Sequence, residues 1–332
     1  MRATLLLFIA LLVCIPALAE DLRPVSTYSI VARDPQTGAL GVAVQSHWFG
    51  VGRIVPWAEA GTGAVATQAA TDPNYGPLGI TLMRAGRSAP DALRALLLTD
   101  PERESRQVAM IDYQGGTGVH TGANAIAEAN HLEGENYAIA ANLMANPGVP
   151  EAMAEAFENA EGDLAAKMIA ALEAAQAAGG DLRGRQSAAL IVVRGEPGGE
   201  PWQQRLFDLR VDDHEQPVAE LKRLAALERA YRRLAEGDAH LASDVPQAAR
   251  AYMEAVQLAP DERSRGEIAF WSAVGLAGAG RMDEAAAHYR AAVAIDANWE
   301  RLLLRLPAAG LLTEEQLEGL QGADRRKDGT NR

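Results

Sequence analysis

Three hydroxyl side chains, those of Ser26, Thr27 and Ser29, stand at the start of an apolar segment of strand length. A hydroxyl attacks a carbonyl carbon efficiently only when a base accepts its proton. If the residue is the first of a mature chain, its own α-amino group can be that base, because the ordinary pKa of this group is ~8. The sequence therefore poses one chemical question, which is whether one of these residues becomes a free N-terminal nucleophile.

Other kinds of site have weaker support. The six histidines show neither HxxxH nor HxH spacing, so the sequence has no recognisable metal motif. Asp212, Asp213 and His214 invite a catalytic interpretation, but we expect them to end a strand and cap the helix that starts near Pro217. The glycine pairs at 115–116 and 198–199 lack the strand-to-helix context of a phosphate loop. We therefore expect neither a metal nor a cofactor.

The hydroxyl groups belong to a predicted β-hairpin. Residues 28–32 and 40–44 are apolar runs of strand length, separated by the polar breaker RDPQTG. Both runs are nearly continuous in apolar residues rather than alternating, which indicates strands covered on both faces. We therefore expect further layers above and below this hairpin.

The order of the remaining elements predicts the fold class. Further strands are predicted at residues 63–68, 108–112, 118–121, 137–142, 187–193 and 204–211. Helices are predicted at residues 78–85, 88–98, 150–159 and 164–178. Antiparallel hairpins in this order favour an α+β fold over residues 27–217, with two stacked sheets and helices outside, a four-layer α/β/β/α sandwich.

Residues 218–322 differ from this pattern and consist of helices rich in Ala, Leu, Arg and Glu. An internal repeat occurs here, in which Ala248, Tyr252, Ala255 and Pro260 recur as Ala285, Tyr289, Ala292 and Ala297. Small residues at these positions let two helices approach, and the tyrosine fills the gap between them, so the segment resembles the tetratricopeptide repeat. A further helix is predicted at 313–320, and residues 323–332 are expected to be disordered.

Composition and the first residues limit the location and the partners. The chain has 44 acidic and 31 basic residues, which argues against nucleic acid or an anionic membrane as its main partner. Residues 1–19 match a secretory signal peptide, with Arg2 before a short apolar core and small residues at the cleavage site. We therefore expect a periplasmic or secreted protein with a lead segment at 20–26 and no membrane span. Cys14 is the only cysteine, so the mature chain has no thiolate.

Eight phrases, in order along residues 27–224, resemble the uncharacterised bacterial family called domain of unknown function 1028. They are SIVARDP (29–35), LGVAVQS (40–46), VPWA (55–58), GAVATQ (63–68), NYGP (74–77), HTG (120–122), GRQSAA (184–189) and DLRVDDH (208–214). The resemblance implies membership of the N-terminal nucleophile hydrolase superfamily, which has a proteasome-like fold. That fold is the four-layer sandwich expected above.

The resemblance also implies a nucleophile. Family members without a signal peptide begin like Met-Thr-Phe/Tyr-Ser-Ile-Val, so Thr27 matches the residue that loss of the methionine would expose. Cleavage after Ala19 leaves residues 20–26 in front of Thr27, and these must be removed before its α-amine is free. The alternative is that Thr27 is an ordinary β-branched residue opening a strand.

Further site residues follow from the same resemblance. Ser29 lies on the strand face of Thr27, Ser46 ends the second strand where proteasome-like relatives place an aspartate, and Asn142 can donate to an oxyanion. Arg53 is expected on the next strand, roughly where those relatives have a lysine. Candidates for lining the same cleft, each with a structural hydrogen bond as its alternative role, are Arg53, Thr67, Gln68, Asn74, Tyr75, His120, Arg185, Gln186 and Ser187.

Two functions remain open at this point. The first is an exported amidohydrolase that cleaves a small amide or peptide through an acyl-enzyme at Thr27. The second is a non-catalytic periplasmic binding or scaffold protein, whose helical repeats recruit a protein partner. We expect a homo-oligomer in either case. The N-terminal residue of the mature protein discriminates between the two functions, because only the first needs Thr27 to be that residue.

Overall fold

The computed structural model describes residues 25–328, with side chains placed through residue 322. The expected signal peptide and residues 20–24 of the lead segment lie outside the described residues. Within them the chain has mixed α and β structure with two antiparallel sheets, which confirms the α+β class.

One sheet has six strands, in the spatial order β10-β9-β2-β1-β8-β7, and the other has four, in the order β3-β4-β5-β6. The strands are β1 Thr27–Arg33, β2 Leu40–Ser46, β3 Pro56–Glu59, β4 Gly63–Ala69, β5 Arg106–Asp112, β6 Thr117–Thr121, β7 Asn130–Gly134, β8 Tyr137–Ala141, β9 Ser187–Val193 and β10 Arg205–Val211. The helices are α1 Tyr75–Arg84, α2 Ala89–Thr99, α3 Val149–Asn159, α4 Leu164–Ala177, α5 Pro217–His240, α6 Val245–Leu258, α7 Glu262–Gly278, α8 Met282–Ile295, α9 Asn298–Leu303 and α10 Glu314–Asp328.

The predicted hairpin is at the centre of the six-stranded sheet. Strand β1 pairs with β2 on one side and β8 on the other, and β2 also pairs with β9. Every residue of β2 is buried, and so is every residue of β1 except Arg33. Complete burial follows from the continuous apolar runs, because both faces of these strands are covered.

Three apolar cores cover the faces of the two sheets. Val31, Val42 and Val44 of the large sheet meet Ala66 and Ile111 of the small sheet in the core between them. A second core lies between the small sheet and helices α1 and α2. A third lies between the large sheet and helices α3, α4 and the first half of α5. The two sheets therefore face each other, with helices on both outer sides.

Several local signals match the helix starts. The Ser88 side chain accepts a hydrogen bond from Asp91 N at the start of α2, as predicted. Asp163 caps α4 in the same way by accepting from Ala166 N. The start of α5 differs from the prediction, because its N-cap Gln216 makes no side-chain cap and His214 Nδ1 instead accepts from Gln216 N.

Three other details differ from the sequence prediction. Strand β7, with the sequence NHLEG, was not predicted, since only one of its residues is apolar. Arg53 lies in a short 3-10 helix, Val51–Arg53, and not on a strand, because the chain turns here before Pro56 opens β3. Helix α10 extends to Asp328, into the segment expected to be disordered.

The C-terminal helices form a separate core that shares α5 with the first part of the chain. Leu221 and Ala225 of α5 pack on the large sheet, whereas Ala230 and Leu234 pack against the later helices. Within that second core, Tyr252 of α6 and Tyr289 of α8 are buried at matching positions of the internal repeat. Among residues 25–328, no helix combines the length and the apolar character needed to cross a membrane.

Candidate functional site

Thr27 opens β1, is fully buried, and lies on the face of this strand that is turned to the smaller sheet, together with Val25 and Val31. Its hydroxyl Oγ1 donates to the carbonyl oxygen of Val25 over 2.8 Å. Its own carbonyl oxygen accepts from Asn142 N and from Gln68 Nε2, each at 3.1 Å. The backbone of this residue is therefore held from both sheets, and its hydroxyl points back along the chain that precedes it.

Buried amide side chains form a network beside Thr27. Ser29 Oγ donates to Gln68 Oε1 at 2.7 Å, and Gln68 Nε2 donates to Gln107 Oε1 at 2.7 Å. Asn142 Nδ2 reaches the same Gln107 oxygen at 3.0 Å. These residues come from β1, β4, β5 and the end of β8, so the network joins the two sheets. All of them are fully buried, which makes each hydrogen bond costly to lose.

The two residues before Thr27 are buried and are held by hydrogen bonds from both sheets and a loop. Val25 N donates to Ala69 O at 2.7 Å, and Ala69 N donates back to Val25 O at 3.0 Å. The carbonyl oxygen of Ser26 accepts from Ser46 Oγ and from Arg183 Nη2, the latter at 3.0 Å. This carbonyl is the acyl group of the peptide bond that Thr27 would have to lose to become an N-terminal residue.

Arg183 is itself held in place by a buried carboxylate. Its Nη2 lies 2.8 Å from Asp181 Oδ2, and the Asp181 side chain is completely shielded from solvent. Asp181 Oδ2 also accepts from His47 N at 3.1 Å. A guanidinium fixed by a buried ion pair is well suited to polarise a carbonyl, because it needs no rearrangement to do so.

Four buried polar atoms around Thr27 have no hydrogen-bond partner within the described residues. They are Ser26 Oγ, Asn142 Oδ1 and both amide atoms of Gln45. Buried polar groups in proteins are almost always paired with protein or with water, so unpaired groups call for an explanation. Gln45 lies beside Tyr28 on the helix-covered face of the large sheet, whereas Asn142 contacts Gln107 of the small sheet, so the unpaired atoms lie on both faces of the large sheet near Thr27.

Two non-glycine residues with positive φ flank the same place. Ala69, with φ 68°, directly follows Gln68, and Leu143, with φ 55°, directly follows Asn142. The left-handed region is unfavourable for residues with a Cβ and tends to occur where function constrains the backbone. Here it lets the chain leave both sheets immediately after the two residues that donate to the Thr27 carbonyl oxygen.

The structure thus gathers Thr27, Ser29, Ser46, Gln68 and Asn142 from the predicted set. Ser187 lies next to them, since it pairs with Ser46 across the sheet, but its hydroxyl accepts from Val51 N at 3.1 Å and donates to Trp48 O. These bonds fix the loop after β2.

The other predicted residues lie elsewhere. Thr67 points to the opposite face of β4 from Gln68, as period two requires, and donates to Asp72 O at 3.1 Å. Asn74 is exposed next to α1, and Tyr75 in α1 donates to Asp100 Oδ2 at 2.9 Å. His120 Nε2 donates to Arg103 O at 2.8 Å beside a surface groove.

The remaining three arginine and glutamine candidates also stand outside the network. The Arg53 guanidinium lies 5.3 Å from the centroid of the Phe49 ring. Gln186 Nε2 donates to Asp213 Oδ1 at 3.1 Å, and both Gln186 and Arg185 line a second surface groove beside the start of α5. A single cleft therefore does not collect all nine of the predicted lining residues.

Gln107, Asp181 and Arg183 are important residues that the sequence did not indicate. Gln107 directly follows Arg106 and precedes the apolar run of β5, so its position resembles an ordinary polar strand start and does not mark a buried role. Arg183 lies in a loop, where nothing in its neighbours marks it. In the described part of the chain, no group of three or more acidic, histidine or cysteine side chains is arranged to hold a metal ion.

On the other face of β1, Tyr28 packs under α4, and its hydroxyl donates to Gln176 Oε1 at 3.1 Å. Burial raises the pKa of the Tyr28 hydroxyl far above its ordinary value, and the nearby charge of Asp181 adds to this effect. The phenol is therefore protonated at neutral pH and is not available there as a base.

Comparison with known proteins identifies the family of this chain. Residues 27–221, more than half of the chain, match the model of DUF1028, described as a family of unknown function. The crystal structure of protein SPO2555 from Silicibacter pomeroyi, also described as DUF1028, is similar with a TM-score of 0.54 and 30% identity. The similarity covers 60% of this chain and 87% of that one. No curated protein matches. The chain therefore belongs to the DUF1028 family.

Proposed function

We propose that this protein is an exported amidohydrolase of the N-terminal nucleophile type, with Thr27 as its nucleophile. The observation that carries the proposal is the pair of hydrogen bonds to the Ser26 carbonyl oxygen. Two donors, Ser46 Oγ and Arg183 Nη2, converge on its oxygen, and the hydroxyl of Thr27 follows immediately in the chain. Convergent donors on a carbonyl oxygen next to a hydroxyl are the elements of an acyl-transfer site.

The arrangement of layers supports the same proposal. Two antiparallel sheets face each other with helices outside, and Thr27 starts a central strand of the larger sheet on the face that is turned to the smaller sheet. This is the position that the N-terminal nucleophile superfamily gives to its nucleophile. We therefore propose that the fold is the four-layer sandwich of that superfamily.

Release of Thr27 is the first step of the proposed chemistry. Thr27 Oγ1 attacks the carbonyl carbon of Ser26, the C–N bond to Thr27 breaks, and an ester forms between Ser26 and Oγ1. The hydroxyl proton passes to the departing nitrogen, which becomes the free α-amine of Thr27. Water then hydrolyses the ester and leaves a carboxylate on Ser26. Ser46 and Arg183 stabilise the negative charge that develops on the carbonyl oxygen during attack.

After processing, Thr27 acts again as the nucleophile, now on the substrate. The free α-amine of Thr27 takes the proton of Oγ1, which attacks the carbonyl of a small amide or peptide, and the amine product leaves with that proton. Asn142 Oδ1, which has no partner within the described residues, is an available acceptor for an N–H of the new α-amine. Water finally hydrolyses the acyl-enzyme at Thr27.

The test follows the N-terminus of the chain that begins at Glu20. On incubation, intact-mass analysis should show a product that begins at Thr27, and Thr27→Ala should stop its formation. A matched control is Thr71→Ala, because Thr71 Oγ1 also donates to the carbonyl two residues earlier, that of Ala69, at 3.3 Å. The control should be processed normally. A chain that keeps residues 20–26 while hydrolysing amides, or equal processing of Thr27→Ala, would refute the proposal.

A non-catalytic role is the second candidate, and one observation favours it. In the described state Thr27 is fully buried, and its hydroxyl proton is already donated to Val25 O. On this proposal the protein is a periplasmic binding or scaffold protein, and α5–α8 act as tetratricopeptide-like hairpins that recruit a protein partner. The matching buried positions of Tyr252 and Tyr289 support that use of the helices. Absence of processing in the test above would select this candidate.

A further inference from the structure

We propose that the acyl group of the substrate is a short extended peptide that ends in a small polar residue preceded by a branched apolar one. This inference rests on the function proposed above. Val25 and Ser26 occupy the acyl side of the bond before Thr27, so their contacts describe the place that a substrate's acyl group takes once they have left.

The backbone contacts indicate a peptide rather than a compact small molecule. Val25 and Ala69 exchange two hydrogen bonds, N to O at 2.7 Å and 3.0 Å, which is the pattern of an antiparallel bridge. When residues 20–26 depart, Ala69 N and O lose both partners at the end of β4. An extended peptide restores them by adding alongside this strand end, as in other cases of strand addition.

The position of Val25 requires an apolar side chain. Val25 is only 3% exposed and belongs to the core between the two sheets, with valines and alanines as neighbours. An acidic or amide side chain placed there would be buried without a partner, which costs binding free energy. The substrate residue that takes the place of Val25, which is the second residue before the scissile bond, is therefore branched and apolar.

The position of Ser26 is small and polar. Val25 and Thr27 face the layer between the sheets, so alternation along the extended chain turns Ser26 to the other face, beside Tyr28 and its cross-strand partner Gln45. Ser26 is fully buried, which leaves no room for a large side chain. Ser26 Oγ and both amide atoms of Gln45 have no partner within the described residues. Ser26 Oγ does not bond Gln45 in the intact chain, where the peptide bond to Thr27 holds its backbone. A separate substrate peptide is free of that bond and can place a polar group against the Gln45 amide, whereas a purely apolar side chain cannot pair with it.

The experiment uses protein that has processed itself and has been dialysed to remove the released peptide. Its probes are acetyl-Val-Ser anilide, acetyl-Val-Ala anilide, acetyl-Val-Leu anilide and acetyl-Asp-Ser anilide. We expect kcat/KM to be highest for Val-Ser and at least about tenfold lower for Val-Leu and Asp-Ser. Val-Ala should fall between them, because it fits the space but leaves Gln45 unpaired.

The variant Gln45→Leu tests the role of the amide separately. In this variant, kcat/KM should be about equal for the Val-Ser and Val-Ala anilides, because no amide is left to bond the serine hydroxyl. If Val-Leu is cleaved as fast as Val-Ser, or if no anilide is cleaved, the inference about the substrate is wrong. The proposed function is judged independently by the processing of the intact chain, which uses no added substrate. If that processing is absent, both proposals fall.

Discussion

Gln68 is the residue that links Thr27 to the opposite sheet. Its side chain accepts from Ser29 Oγ and donates both to Thr27 O and to Gln107 Oε1, all within a fully buried layer. Gln68→Ala would leave the Ser29 hydroxyl without its acceptor and remove both donated bonds. We expect the free energy of unfolding to fall by ~1–3 kcal/mol, measured by urea denaturation.

Gln114→Ala is the matched control for this prediction. Gln114 is exposed and donates through Nε2 only to the exposed hydroxyl of Tyr113. Its removal should change the free energy of unfolding by no more than ~0.5 kcal/mol. Equal effects of the two substitutions would mean that the buried hydrogen bonds of Gln68 stabilise the fold no more than the exposed one of Gln114.

The rate of the proposed hydrolysis should depend on pH through the α-amine of Thr27. Only the neutral amine can accept the proton of Oγ1, and the ordinary pKa of this group is ~8. We therefore expect kcat/KM of the processed protein to rise about tenfold per pH unit below that pKa and to level off above it. The measurement is a pH–rate profile with acetyl-Val-Ser anilide. A rate independent of pH between about 6 and 9 would exclude the α-amine as the base.

At the level of single residues, the sequence analysis named every member of the buried network except Gln107. Alternation along β1 predicted that Ser29 shares the face of Thr27, and the predicted strand ends placed Ser46 and Asn142 near Thr27, where the structure also has them. Gln107 and Arg183 were not predicted. Their contacts depend on how the second sheet and a distant loop pack on β1, which local spacing does not determine.

Close approach of α5 and α6 depends on a glycine. A Cβ at Gly237 would lie 2.5 Å from Cε1 of the Tyr252 ring, which is itself fully buried. Gly237→Ala should therefore push the two helices apart and lower the free energy of unfolding by ~1–3 kcal/mol. Thermal denaturation followed by far-UV circular dichroism measures the effect.

Gly278→Ala provides the control within the same set of helices. Gly278 is the last residue of α7, and a Cβ there would meet no atom within 4 Å. Alanine is favoured over glycine in a helix by up to ~1 kcal/mol, so this variant should be neutral or slightly more stable. If Gly237→Ala is equally well tolerated, the contact with Tyr252 does not limit the packing of α5 on α6.

Elements with strong periodicity or clear end signals were predictable, and short polar ones were not. The strands around residues 28–32, 40–44 and 187–193 have continuous apolar runs, and all were found. Strand β7 forms because its backbone can pair with β8, although its own side chains are mostly polar. Pairing with a neighbour can thus impose a strand on a sequence that has no strand signal of its own.

The whole molecule depends on α5, because this helix belongs to two cores. Its first half packs on the large sheet and its second half on the later helices. Charged pairs reinforce the connection, since Arg229 joins Asp163 at the start of α4, and Lys222 joins Glu173 on the same helix. Unfolding of the sheets should therefore also destabilise the C-terminal helices, because α5 packs in both cores.

The pair of Asp163 and Arg229 gives this connection a dependence on pH. Partial burial alone would raise the pKa of Asp163, but the hydrogen bond from Arg229, with that from Ala166 N, outweighs it and lowers the pKa below its ordinary value. A carboxyl whose pKa is lower in the folded state stabilises that state above its unfolded pKa, ~3.9. This contribution is lost as the pH falls through the folded pKa.

Asp163→Asn isolates the charge, because asparagine caps a helix as well as aspartate does and can still accept from Ala166 N. Between pH ~5 and ~3, the free energy of unfolding of this variant should fall less steeply than that of the parent. Arg229→Gln removes the same pair from the other side and should flatten the dependence similarly, although it also removes the guanidinium that lies 5.1 Å from the Phe207 ring. Urea denaturation at several pH values measures all three proteins. An unchanged slope in both variants would show that the pair does not contribute to the attachment of α5.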